Sequence, residues 1–105
     1  MEELWQTEWC PSSRRVRQRL TELGIDVVVR QVPVEPAERD ALRAATGVDS
    51  IPVLVAGSEV VVGEEAILAR LVRLPEPAGA AAHVTTAARA RRRYLEEECG
   101  CPPTP

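Results

Sequence analysis

The spacing of apolar residues changes several times along the first third of the chain. Residues 3–8 alternate weakly between apolar and polar side chains, which predicts a short strand. A helix is predicted to begin at Pro11 and to stop at Gly24, because the apolar residues between them lie on one face. These residues are Val16, Leu20 and Leu23. The valine-rich residues 26–32 then predict a buried strand.

The next third repeats this alternation with shorter elements. Residues 36–46 predict a helix that ends before a glycine. Residues 52–56 and 59–62 are apolar runs joined by Gly57-Ser58, which is typical of a two-residue hairpin. Residues 64–74 predict a further helix, with acidic side chains at its positive end.

The order of these elements predicts an α/β fold with a mixed four-stranded sheet and helices on both faces. The first strand, helix and strand form a right-handed crossover, so their strands are parallel, and the hairpin adds antiparallel edges. A helix over residues 80–98 is appended, and the last seven residues are predicted to be disordered. We therefore divide the chain into a domain at 1–75 and a C-terminal helix with a loose tail at 76–105.

Composition narrows the classes of function. The chain has 105 residues, 45% hydrophobic and 28% charged, with a net charge of −3, as in a single globular domain without a nucleic-acid surface. The basic cluster at 89–93 is followed by acidic residues and indicates a solvated helix face. No segment resembles a membrane span or a signal peptide, so we expect a cytoplasmic protein with no membrane partner. All 13 basic residues are Arg, which suggests a GC-rich bacterial genome.

The candidate chemistry centres on one of three cysteines. Cys10 directly precedes Pro11 at the predicted start of a helix, where free N–H groups and the helix dipole stabilise a thiolate. The helix carries four arginines and no acid between residues 10 and 20, and their field acts in the same direction. They are Arg14, Arg15, Arg17 and Arg19. This pattern indicates an activated nucleophile, the alternative being a small buried side chain.

A second motif is Ser50-Ile51-Pro52, at the start of a predicted strand. Proline cannot donate a hydrogen bond to a strand ladder, and its position becomes sensible if the Ile51–Pro52 bond is cis. The backbone of Ile51 would then present its N–H and C=O to a peptide-like ligand lying as an extra strand. The alternative is a trans proline at a sheet edge.

Together these motifs resemble the glutaredoxin family of the thioredoxin superfamily, and also the N-terminal domain of glutathione transferases. The resemblance covers about residues 2–74 and implies a thioredoxin-like fold. It rests on four segments: Trp9-Cys10-Pro11-Ser12-Ser13, Thr46-Gly47, Ser50-Ile51-Pro52-Val53 and Gly63-Glu64-Glu65.

The resemblance implies a thiol–disulfide oxidoreductase that exchanges a low-molecular-weight thiol with thiolated proteins. Cys10 would form the mixed disulfide, and because Ser13 replaces the family's second cysteine, the chain is a monothiol variant. The resemblance further implicates Ile51 and Pro52 in holding the cysteinyl part of the thiol. It assigns the thiol's terminal carboxylate and amine to Gly63, Glu64 and Glu65. Arg39 would bind the other carboxylate, the alternative being a solvated helix charge.

Departures from the family pattern concern the identity of the thiol. Thr7 stands where a lysine usually helps to hold glutathione, Ser12 replaces a frequent tyrosine, and Glu64 adds a carboxylate. These changes remove positive charge from the predicted binding site. The small thiol is therefore either glutathione or mycothiol, which lacks the glycine carboxylate of glutathione. We expect no metal and a monomer or weak dimer.

Two other classes of function are open at this point. Cys10 and a small thiol would hold a [2Fe–2S] cluster in a binding module, although such proteins typically carry Cys-Gly-Phe-Ser. A truncated transferase-like domain without redox turnover is the third interpretation. Cys99 and Cys101 are interpreted as inert tail thiols, with a resolving pair or, together with His83, metal ligands as alternatives.

Overall fold

Four strands form one mixed sheet in the computed structural model, which describes residues 1–73 and 80–96. They are β1 (Glu2–Gln6), β2 (Val27–Gln31), β3 (Val53–Ala56) and β4 (Glu59–Val62). Their order across the sheet is β2-β1-β3-β4, with β2 parallel to β1 and both other pairs antiparallel. This confirms the predicted mixed four-stranded sheet.

The helices follow the predicted order. They are α1 (Pro11–Leu23), α2 (Asp40–Thr46), α3 (Glu64–Arg73) and α4 (Ala80–Glu96), with a short 3-10 turn at Pro36–Glu38. Gly24 ends α1 with a φ of 69°, a left-handed conformation that glycine adopts without strain. The appended helix is therefore present, and it packs against α1.

Apolar side chains form a cluster on each face of the sheet. Val53 and Leu54 are consecutive in β3 and point to opposite faces, so each belongs to a different cluster. The larger cluster packs α1 and α3 on the sheet, with Leu4, Val16, Leu20, Leu23, Leu54, Ile67 and Leu71. The smaller one joins α2 to the opposite face through Val32, Leu42 and Val53. Helices thus cover both faces, as the sequence predicts.

The strand predicted within residues 26–32 is present as β2, but the prediction that it is buried is wrong. β2 lies at one edge of the sheet and pairs only with β1. Its residues Val28 and Val29 are 37% and 40% exposed. A run of valines is favoured in edge strands as well as central ones, so composition alone does not fix the place of a strand in its sheet.

The helix predicted over 36–46 is divided into the 3-10 turn and α2. Arg39 lies between them with φ −89° and ψ 47°, outside the helical region. Its side chain turns inward and is 8% exposed. The break therefore places the guanidinium inside the protein rather than on a solvated helix face.

Some predictions fall outside the described residues. These are the boundary at residue 75, the disordered tail, and the roles of Cys99 and Cys101. Among the helices in the described ranges, none combines the length and the apolar character that crossing a membrane requires.

Candidate active site

Cys10 caps the N-terminus of α1, as predicted. A turn follows β1, in which the Cys10 N–H donates to the Thr7 carbonyl at 3.2 Å. The Cys10 carbonyl accepts from the Arg14 N–H at 3.0 Å, and its sulfur accepts from the Ser13 N–H at 3.4 Å. Pro11 fills the first helical position, where a missing N–H costs nothing. The half-buried sulfur thus faces the free amides of the first turn.

Several effects act on the pKa of the Cys10 thiol. Burial has the largest individual influence and by itself raises this pKa. Four effects lower this pKa and together outweigh burial. They come from the Ser13 side chain, the backbone amides of Ser13 and Ser12, and the positive charge of Arg15. The net result is a pKa of Cys10 below its ordinary value, as a nucleophilic thiolate requires.

Ser13 lies beside Cys10, three residues after it in the sequence. Its side chain is fully buried, and its hydroxyl forms no hydrogen bond of normal geometry within residues 1–73 and 80–96. The hydroxyl acts on the charge of Cys10 all the same, since it contributes to the lowered pKa of that thiol. Ser13 therefore contacts the nucleophile through its amide, which donates to the Cys10 sulfur at 3.4 Å.

The arginines of α1 do not act together on Cys10, contrary to the expectation from sequence. Arg17 pairs with Glu8 at 2.5 Å, and Arg19 pairs with Glu22 at 3.1 Å. Each of these charges is therefore balanced by its own carboxylate. Of the four, Arg15 contributes to the lowered pKa of Cys10.

The sheet brings the second motif to the same end as Cys10. Trp5 of β1 pairs with Val53 of β3, and Val53 pairs with Val62 of β4. The carboxyl end of β1, the amino end of β3 and the carboxyl end of β4 consequently lie side by side. The segments that follow or precede these ends hold Cys10, Ile51-Pro52 and Gly63-Glu64-Glu65.

The Ile51–Pro52 peptide bond is cis, which confirms the prediction. Pro52 is buried, and its carbonyl accepts from the Gly63 N–H at 2.8 Å. Ile51 precedes β3 and is half-buried, and its N–H has no hydrogen-bond partner in the described part of the chain. A ligand strand has a backbone donor available at this position.

The start of α3 borders an open cavity of about 500 Å³, lined by residues 62–66 and Ala69. Gly63 turns the chain from β4 into α3 with a φ of 93°, which a side chain would strain. Glu64 is half-buried and Glu65 is exposed. This cavity thus combines the free amides of a helix N-terminus with two carboxylates.

Arg15 of α1 forms an ion pair with Glu64 at the start of α3, which the sequence did not predict. Its Nε and Nη2 donate to the two carboxylate oxygens of Glu64, the Nη2–Oε2 distance being 2.9 Å. Nη2 also lies 3.5 Å from the Ser12 Oγ. The hydrogen bond from Arg15 holds the pKa of Glu64 below its ordinary value. A separation of 49 residues leaves no periodic signal for this contact.

Arg39 is held by backbone carbonyls. It donates to the carbonyls of Pro33 at 2.8 Å, Val34 at 2.8 Å and Asp49 at 2.7 Å. These bonds tie the connection after β2 to the loop that leads into Ile51. The alternative of a solvated helix charge is therefore wrong, while carboxylate binding by Arg39 stays a prediction.

The remaining predicted residues lie around the thiol. Trp9 is 80% exposed next to Cys10, Pro11 is exposed and Ser12 is half-buried. Within the residues described, no three His, Cys, Asp or Glu side chains come close enough together to hold a metal ion.

Cys10 is expected to react with iodoacetamide along a pH curve whose midpoint lies below that of the same thiol in the unfolded chain. The thiolate is the reacting form, so a lowered pKa of Cys10 makes the folded protein react faster at neutral pH. The rate is measured by mass spectrometry of the peptide that contains Cys10. The same peptide in urea is the control, and an equal or higher midpoint in the folded protein contradicts the assignment.

The sequence matches the model of one known protein family. The family model described as Glutaredoxin matches residues 3–61. A search of curated proteins found no significant match.

Solved structures give a similar result. A glutaredoxin from Archaeoglobus fulgidus is 29% identical with a TM-score of 0.53, the match covering 70% of this chain and 86% of that one. A rice glutathione S-transferase solved with glutathione is 24% identical with a TM-score of 0.60, covering 94% of this chain and 48% of that one. A glutathione S-transferase from Rhodospirillum rubrum is 23% identical with a TM-score of 0.59, covering 92% and 46%. The chain spans about half the length of these transferases, and at this identity they indicate the fold alone.

Proposed function

Because the chain belongs to the glutaredoxin family, we propose that it is a thiol–disulfide oxidoreductase that exchanges a low-molecular-weight thiol with protein cysteines through Cys10. One observation carries the proposal: the Cys10 sulfur lies at the N-cap of α1 and accepts the Ser13 N–H at 3.4 Å. A thiolate at this position is stabilised, and it remains half-exposed to an incoming disulfide.

The exchange takes place in two steps. The Cys10 thiolate attacks the sulfur of the small thiol within its disulfide with a protein cysteine. A bond forms between Cys10 and the small thiol, the original disulfide bond breaks, and the protein leaves as a thiolate that takes a proton from water. A second small thiolate then attacks the Cys10 adduct, which releases a small-molecule disulfide and regenerates Cys10. Overall, the protein mixed disulfide and one free small thiol become the protein thiol and a small-molecule disulfide, so the protein cysteine is reduced and the small thiols are oxidised.

A single nucleophile is sufficient for this sequence, and we propose a monothiol mechanism. Ser13 occupies the place from which a second cysteine would resolve the adduct, and a hydroxyl does not attack a disulfide. The small thiol therefore acts as the resolving group. In this proposal the partners are thiolated proteins in the cytoplasm and the enzyme is a monomer or weak dimer. The catalytic domain is residues 1–75.

The small thiol is proposed to lie across the end of the sheet. The free N–H of Ile51 would pair with its peptide-like part, and the amides at the start of α3 would receive an oxygen at its far end, a carboxylate in glutathione or a sugar hydroxyl in mycothiol. Glu65 lies at the same helix start and offers a partner for the amine of glutathione or for a hydroxyl of mycothiol. Trp9, being 80% exposed beside Cys10, provides an apolar contact for the thiolated protein.

We propose mycothiol ahead of glutathione as this small thiol. The binding region carries Glu64 and Glu65, and the guanidinium of Arg15 beside it is already paired with Glu64. A thiol without a second carboxylate is repelled less by this arrangement.

This choice predicts that the protein removes mycothiol from a mixed disulfide faster than it removes glutathione. The measurement is the release rate from one test protein carrying each adduct, with the matching free thiol as reductant. The same protein carrying 2-mercaptoethanol is the control, because that adduct lacks all recognition groups. Equal rates for mycothiol and glutathione, or a faster rate for glutathione, remove the choice of mycothiol. Rates no higher than those without the protein remove the proposed activity.

A further inference from the structure

The Arg15–Glu64 ion pair joins the N-terminal parts of α1 and α3. Arg15 lies in the second turn of α1, and Glu64 is the first residue of α3. Both carboxylate oxygens of Glu64 accept from the guanidinium. Cys10 caps α1 and Glu64 lines the open cavity at the start of α3, so the pair links the helix that carries the nucleophile to the wall of that cavity.

The positive charge of Arg15 is shared between two anions. It acts on the thiolate of Cys10, and it is hydrogen-bonded to Glu64. A small thiol that is attached to Cys10 and carries a carboxylate would be drawn to the same guanidinium. In this structure the protein's own carboxylate already holds it.

We propose that the Arg15–Glu64 pair is a charge filter that makes the site select neutral or cationic thiols over thiols with an additional carboxylate. The carboxylate of Glu64 already pairs with the guanidinium of Arg15. A thiol that carries a carboxylate must therefore either displace Glu64 from Arg15 or bind without an ion pair to Arg15. This inference rests on the proposed thiol exchange. Glu64 determines specificity, while Arg15 holds Glu64 in place and acts on the thiolate.

Exposure sets the size of the effect. The Arg15 side chain is 57% exposed and that of Glu64 is 23% exposed, so solvent and salt screen the pair in part. Exposed ion pairs change equilibria by roughly two- to fivefold. We expect a change of that order in the preference between anionic and cationic substrates, larger at low salt.

The test uses three small disulfides of similar length and different charge: those of 3-mercaptopropionate, 2-mercaptoethanol and cysteamine. The measured quantity is the rate of adduct formation on Cys10, expressed as the ratio of the anionic to the cationic substrate. Glu64→Gln is expected to raise this ratio roughly two- to fivefold, and Arg15→Gln to lower it by a similar factor. The double variant Arg15→Gln/Glu64→Gln restores the local net charge and is expected to return the ratio toward that of the unmodified protein.

The matched controls are Arg19→Gln and Glu22→Gln on the same helix. This pair is 3.1 Å apart with exposures of 37% and 24%, and Arg19 does not contribute to the lowered pKa of Cys10. These variants are expected to leave the ratio unchanged. A merely structural pair would change all three rates by one factor and leave the ratio intact, which would overturn the proposal.

A second measurement separates this inference from the proposed function. Release of the small thiol from a protein mixed disulfide reports the proposed turnover, whereas adduct formation from the three small disulfides reports the selection by charge alone. One outcome is that the unmodified protein fails to release small thiols from proteins, while Cys10 still reacts faster with the cationic disulfide than with the anionic one. In that case the proposed function is lost and the charge filter stands. If turnover is present and the ratio does not respond to Glu64→Gln, the filter is overturned and the function stands.

Discussion

Cys10→Ser is expected to abolish thiol exchange, with turnover falling by at least about a thousandfold. A hydroxyl is not ionised at neutral pH and does not attack a disulfide sulfur. The fold should survive, because serine is among the preferred N-cap residues and accepts from the same Ser13 N–H. The measurements are release of the small thiol from a protein mixed disulfide, and the denaturation midpoint.

A variant that carries Cys99→Ser and Cys101→Ser is the control for Cys10→Ser. It retains Cys10 as the remaining thiol of the three and is expected to keep turnover. If Cys10→Ser remains active while the double variant does not, the nucleophile belongs to the tail and the assignment of Cys10 is wrong.

Ser13→Cys is expected to change the fate of the adduct on Cys10. Ser13 is fully buried, and its N–H lies 3.4 Å from the Cys10 sulfur, so a thiol there is placed to attack the adduct. The small thiol would leave, and Cys10 would form an internal disulfide with the introduced thiol. A cysteine also suits this site because the serine hydroxyl is buried without a hydrogen bond of normal geometry.

The measured quantity for Ser13→Cys is the share of protein that carries the small thiol after reaction with an equimolar disulfide. We expect most of the unmodified protein to retain the adduct, and less than about a tenth of the variant to do so. Ser12→Cys is the matched control, because Ser12 is one residue earlier and half-buried, whereas Ser13 is fully buried beside the sulfur. Equal adduct levels in Ser13→Cys and Ser12→Cys would contradict the proposed geometry.

The features that the sequence predicts well are those set by neighbouring residues. The α1 helix follows from its apolar stripe between Pro11 and Gly24, and the capping position of Cys10 follows from the proline after it. The cis bond at Ile51–Pro52 follows from its motif. Each depends on local geometry, which a short stretch of sequence specifies.

The features that escaped prediction depend on the assembled fold. The exposure of β2 depends on which strand pairs with it, and its valines are compatible with either an edge or a central place. The inward turn of Arg39 depends on three carbonyls from two separate loops. The partners of the α1 arginines also depend on how the helices pack, since Arg15 forms an ion pair with Glu64 at the start of α3.

The central claim, that Cys10 accepts the small thiol, is tested most directly by mass spectrometry of tryptic peptides after the reduced protein has reacted with a small-molecule disulfide. Trypsin cleaves after arginine and places Cys10 in the peptide 1–14, while Cys99 and Cys101 fall in the peptide 94–105. We predict that the first peptide gains the mass of one small thiol before the second does. Modification of the peptide 94–105 with Cys10 left unmodified would contradict the account.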